Sequence, residues 1–133
     1  MEMLNNKRLS FIFSIITICV FIQNVMGQEK EICKSWKIDY FIVNGKKKLP
    51  NVEEKKNSMT FFENGNFTGV EDNFALEGKW KFDAKKKKVY LIIEGFPVKL
   101  ELKIIKLNEF MFSWEAINTD DGSLRKTYMI PKE

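Results

Sequence analysis

The amino-acid sequence predicts an all-β protein, an antiparallel up-and-down meander of about eight strands. Three observations carry that expectation. Apolar and polar residues alternate through most of residues 28–133, the period of half-buried strands. Asn44-Gly45, Asn64-Gly65 and other turn signals interrupt the alternating runs at roughly ten-residue intervals. No stretch has the apolar period of an amphipathic helix.

The N-terminus stands apart from this pattern. Lys7 and Arg8 precede an uncharged run from Leu9 to Ile22, shorter than the roughly 20 apolar residues a membrane helix needs. Val25-Met26-Gly27 follows with a small residue where a signal peptidase would cut, so residues 1–27 are expected to be a cleaved export signal and 28–133 the mature domain. That domain, of roughly a hundred residues, is long enough to bury its own core.

The first strand is expected to place Trp36, Ile38, Tyr40 and Ile42 on one face, with Lys37 and Asp39 opposite, and to end at Asn44-Gly45. Leu49 to Asn57 is polar and reads as a loop or short helix. Met59–Phe62 and Phe67–Val70 flank Asn64-Gly65 as a hairpin. Glu71–Ala75 makes a turn, and Leu76, Gly78, Trp80 and Phe82 then alternate with charged residues. Val89–Ile93 is a short apolar run, expected to be covered on both faces or to lie near a rim. Gly95-Phe96-Pro97 turns the chain into Val98, Leu100, Leu102 and Ile104. Phe110, Phe112 and Trp114 are expected to share the next inward face, and Tyr128 and Ile130 that of the last strand. Short strands in sequence suit a sandwich or a closed barrel, and closure removes the unpaired edges at which such chains aggregate.

Composition excludes several functions. The chain has no histidine, which removes histidine-dependent nucleophilic catalysis and histidine metal sites. Without the export segment, Cys33 is the remaining cysteine and cannot form an intramolecular disulfide. Asn118-Thr119-Asp120-Asp121-Gly122 lacks the ligand spacing and closing glutamate of a calcium loop. Removing Glu2, Lys7 and Arg8 leaves 20 basic and 17 acidic residues, a surplus too small to imply nucleic acid. The lysines gather at Lys46–Lys48, Lys55-Lys56 and Lys85–Lys88, which read as solvated turns. No catalytic residue, metal ligand or cofactor is expected, and no membrane span beyond residue 27.

Several of these segments also resemble one family. Ser35-Trp36-Lys37, Val43-Asn44-Gly45-Lys46, Thr60–Gly69, Gly78-Lys79-Trp80-Lys81-Phe82, Leu107-Asn108-Glu109-Phe110 and Tyr128 follow one another as they do in the bacterial lipocalin-like domains of secreted Bacteroidota-type proteins. Ser35 stands where that pattern prefers glycine, and Asn64 where it prefers aspartate. The resemblance spans Trp36 to Lys132. It implies a small lipocalin-like barrel and, from the family name, binding of an apolar ligand.

The candidate site is the set of aromatics expected to point inward: Trp36, Tyr40, Phe61, Phe67, Trp80, Phe82, Phe112, Trp114 and Tyr128. They suit two readings. They line a cavity for a small apolar or amphipathic molecule, their N–H and O–H groups fixing a polar head. Alternatively they fill the barrel, because eight strands enclose an interior just wide enough for side chains. A filled barrel would act through its loops, Asn44–Ser58, Phe74–Leu76 and Asn118–Ser123, on a protein partner or the cell envelope. A cavity above about 300 Å³ distinguishes the two.

Overall fold

The computed structural model describes residues 28–118 and 121–133; the expected export segment, and Thr119 and Asp120 of the last loop, lie outside the described residues. In chain order the strands are β1 (Ser35–Val43), β2 (Lys46–Lys48), β3 (Ser58–Phe61), β4 (Asn66–Glu71), β5 (Phe74–Asp83), β6 (Lys88–Ile93), β7 (Leu100–Leu107), β8 (Phe112–Ile117) and β9 (Leu124–Pro131). A 3₁₀ turn, Glu54–Lys56, precedes β3, and one turn of helix over residues 28–32 precedes β1.

From β3 onward each strand pairs antiparallel with the next, and β9 returns to β1, whose other edge meets β3. The meander is therefore closed as an eight-stranded barrel, not folded as a sandwich. β2 lies outside that count. It extends a hairpin arm from β1 through Asn44 (φ 50°) and Gly45 (φ 80°), the left-handed pair that a tight hairpin requires.

Bulges decide which side chains face the interior. Between Ile38 and Tyr40 the register of β1 against β9 shifts, so that Ile38 opposes Met129, Tyr40 opposes Tyr128 and Phe41 opposes Thr127. The extra residue reverses the alternation, which carries Trp36, Ile38 and Phe41 inward and Tyr40 outward. β9 follows the same phase: Arg125, Thr127 and Met129 face in, while Tyr128 and Ile130 face out. The expected inward positions of Tyr40, Tyr128 and Ile130 are thus corrected. A second bulge, between Ile104 and Lys106 of β7, restores Leu107 opposite the buried Phe112.

Two other expectations change. Phe110 is exposed in the β7–β8 turn, and Ile92 is exposed between the buried Leu91 and Ile93, so β6 is covered on one face only. Gly78, opposite Ile93, has no room for a side chain, since a Cβ there would run into the backbone carbonyl of Ile92. That close approach makes glycine obligatory at an otherwise ordinary strand position.

The ends of the barrel differ. At the end where β1 begins, Trp36, Phe61, Phe67, Trp80 and Phe112 pack together. Phe61 stands 5.4 Å from Phe67, 5.5 Å from Trp80 and 5.8 Å from Phe112, with edge-on or tilted rings. The helix turn covers this plug: Ile32 is fully buried, and its carbonyl accepts the Trp36 indole N–H at 2.9 Å. Alternation alone conceals such a one-turn helix, too short to show a period. The opposite end carries the 3₁₀ turn and the β4–β5, β6–β7 and β8–β9 connections.

Candidate functional site

Above the aromatic plug the interior is not filled. A cavity of about 240 Å³ opens toward the end with the 3₁₀ turn. Leu76, Leu91, Ile93, Leu102 and Met129 supply its apolar wall, and Phe67 its floor. Phe67 reaches across Gly69, where an added Cβ would stand only 3.1 Å from the ring tip.

One wall is different in kind. β8 and β9 contribute Trp114, Arg125 and Thr127. Trp114 opposes Thr127 in register, and Arg125 lies two residues further along the same face, nearer the mouth. The Arg125 guanidinium lies 4.9 Å over the Phe41 ring. Trp114 Nε1, Arg125 Nε and Thr127 Oγ1 are buried and find no hydrogen-bond partner among the described residues. Unpartnered buried polar atoms are uncommon in native structures, and three in one cavity ask for an explanation. Across the cavity Glu54, Glu71 and Asp72 stand at the mouth.

Just before β9, Asp121 and Ser123 are tied to each other. Asp121 accepts hydrogen bonds from the Ser123 amide (2.8 Å) and hydroxyl (2.6 Å), which hold its carboxyl below the usual range. Arg125 adds a smaller effect in the same direction.

Of the nine expected site residues, Phe67 and Trp114 line the cavity. Trp36, Phe61, Trp80 and Phe112 form the plug, and Phe82 packs against it. Tyr40 and Tyr128 stack on the outer surface, rings 4.4 Å apart and nearly parallel, with Lys47 Nζ 4.5 Å from the Tyr40 centroid. Sequence reasoning missed Arg125 and Thr127. The signal lay in the alternate phase of the last strand, Arg125-Thr127-Met129, which is as regular as the Tyr128-Ile130 phase but less apolar.

Among the described residues no three His, Cys, Asp or Glu side chains gather to hold a metal ion, and no helix is long and apolar enough to cross a membrane. No protein-family model matches the chain, and no curated protein does. Among solved structures the barrel is similar to a lipocalin-like protein from Bacteroides uniformis, with a TM-score of 0.57 and 13% identity over 77% of this chain and 99% of that one. A DUF4847 family protein from Bacteroides vulgatus aligns over 80% of this chain and 99% of its own, at 13% identity and a TM-score of 0.49. At such identity the likeness is one of fold, and the fold is a lipocalin-like closed antiparallel barrel.

Proposed function

We propose that the protein is an exported, non-enzymatic binding protein that holds a small apolar or amphipathic molecule in the upper half of its barrel. The observation that carries this reading is the uneven filling of the interior. Five large aromatics seal one end, while an apolar-walled cavity is left open at the other. A barrel serving only as a scaffold gains by packing its interior throughout, since buried apolar area and close contact stabilise the fold.

The volume, about 240 Å³, falls short of the roughly 300 Å³ at which drug-sized pockets begin. Size alone does not carry the reading, and the ligand is correspondingly small. At about 30 Å³ for a water-sized group the space takes about eight such groups, so a longer molecule projects from the mouth.

The experiment is native mass spectrometry of the protein purified from its own host's secreted fraction, compared with the denatured mass. A chain beginning at Gln28, with a discrete extra mass that is lost on denaturation, is the expected result. A bare mass together with no uptake from a lipid extract would refute ligand binding, and a chain retaining residues 1–27 would refute export by cleavage.

A second reading has its own observation. Leu49, Val52, Phe74, Phe96, Val98 and Ile117, all exposed, surround the mouth on loops and strand ends. An apolar rim of that kind suits contact with a protein partner or the envelope. A protein whose mouth loops protect from hydrogen exchange in the presence of envelope extract, with no small molecule bound, would favour it.

A further inference from the structure

We propose that the cavity selects its ligand by an anionic, carboxylate-type head, held by Arg125, Thr127 and Trp114 on the β8–β9 wall while an apolar tail lies along Leu91, Leu102 and Met129. The inference rests on the reading of the barrel as a ligand carrier and adds the chemical class of the ligand. It begins from the three buried polar atoms that lack a partner among the described residues, Trp114 Nε1, Arg125 Nε and Thr127 Oγ1. All three residues line the one cavity, and their register places them on adjacent strands.

The chemistry of these atoms is one-sided. An indole N–H and a guanidinium Nε–H can only donate, and a threonine hydroxyl donates as readily as it accepts. Buried donors left without a partner beside an apolar space require an acceptor, and a full negative charge makes the strongest bonds with them. Arg125 is also restrained in advance: with its guanidinium against the Phe41 ring, little side-chain freedom is left to lose on binding. Asp121, which feels the charge of Arg125, is already bound to Ser123.

Three acids share the cavity and weigh against an anion. Glu54 belongs to the 3₁₀ turn, which lies against β1 and β4, while Glu71 and Asp72 belong to the β4–β5 corner, three strands around the barrel from β9. Glu71 and Asp72 are solvent-exposed, and water weakens their reach. Glu54 accepts from the Asn51 amide at 3.2 Å. The buried side of the pocket therefore presents donors, and the exposed side presents acids.

The test uses residues 28–133, which by themselves make up the whole barrel, titrated at pH 7 with sodium octanoate, octan-1-ol and octylamine. Calorimetry reads the affinities, and ¹⁵N NMR reads the three indole N–H groups. Octanoate is expected to bind at least about tenfold more tightly than the other two. It should shift the Trp114 indole N–H and leave those of Trp36 and Trp80 in place, since these already donate to Ile32 and Phe62 carbonyls. Arg125→Gln should lose at least about tenfold in octanoate affinity, far more than it loses for octanol, and Thr127→Val, which keeps the side-chain shape, should lose severalfold. Octanol binding as tightly as octanoate would overturn the anionic head while leaving the cavity reading intact. Tightest binding of octylamine would overturn it in favour of the acids at the mouth. Binding of none of the three would overturn both readings.

Discussion

Replacing each tryptophan by phenylalanine separates the packed half of the barrel from the open half. The indole N–H of Trp36 donates to the Ile32 carbonyl at 2.9 Å inside the sealed base, where both residues are fully buried. That of Trp80 donates to the Phe62 carbonyl at 2.8 Å, nearer the surface because Phe62 is exposed. That of Trp114 has no partner among the described residues. Contracting the ring has a cavity cost on the order of 1 kcal/mol in a packed site. Losing the indole bond costs about 0.5–1.5 kcal/mol more, because the Ile32 carbonyl keeps the Lys34 amide (2.8 Å) and the Phe62 carbonyl the Gly65 amide (3.0 Å) as donors, and the loss is smaller where water can replace the indole.

Trp36→Phe should therefore cost ~1.5–2.5 kcal/mol and Trp80→Phe ~1–2 kcal/mol. Trp114→Phe loses no hydrogen bond and borders space that is already open, so its cost should stay under ~1 kcal/mol. In a domain of ordinary stability, about 5–15 kcal/mol, the first variant is measurably weakened and the last is nearly intact. Urea unfolding followed by far-UV circular dichroism measures all three without relying on tryptophan emission. The order Trp36, Trp80, Trp114 is the expected result. A Trp114→Phe loss equal to that of Trp36→Phe would refute the division of the barrel into a filled base and an open top.

Gly78→Ala should destabilise by more than about 3 kcal/mol, beyond ordinary overpacking, because the obstacle is the rigid Ile92 backbone; a thermal melt checks this. The Tyr40–Tyr128 stack should show a coupling of about 0.5–1.5 kcal/mol in a double-mutant cycle of alanine variants, a value of zero refuting it. Burial, and then the charges of Glu63 and Glu29, push the Cys33 thiol pKa up. The folded chain thus keeps the thiol proton to higher pH than the unfolded chain does. Stability from this group is complete below the ordinary thiol pKa and falls as pH rises through the shifted one. Cys33→Ser should flatten that alkaline decline, and the native thiol should react with a disulfide reagent at pH 8.5 more slowly than in urea.

The parts of the fold legible in the sequence are those where alternation runs unbroken. Leu76, Gly78, Trp80 and Phe82 on β5, and Phe61 and Phe67 beside the Asn64-Gly65 turn, face where the period of two places them. Alternation fails at bulges, because one extra residue reverses every side chain beyond it. Trp36 and Ile38 are thus read correctly while Tyr40 is not, although the three are evenly spaced. The last strand fails for a different reason. Tyr128 and Ile130 are more apolar than Arg125 and Thr127, so hydrophobicity favours the wrong phase, and pairing with β1 beyond its bulge decides the true one. The candidate site suffers most from this error, since its polar wall is built from the face that hydrophobicity ranks second.

That polar wall also gives the unliganded protein a cost that packing does not remove. The Thr127 residue is 1% exposed and its hydroxyl has no partner among the described residues, a condition that costs about 1–3 kcal/mol relative to an apolar group of the same shape. If the hydroxyl were there for stability, Thr127→Val would weaken the fold. If it is there for a ligand, the same change should raise unfolding free energy by about 1 kcal/mol and lower octanoate affinity at once. The opposed signs are the informative feature, because a general packing defect lowers both quantities and a neutral surface change moves neither. Paired measurement of urea unfolding and octanoate titration on Thr127→Val therefore distinguishes a binding wall from a poorly packed one, and a variant less stable than the parent in the absence of octanoate would assign Thr127 to the core.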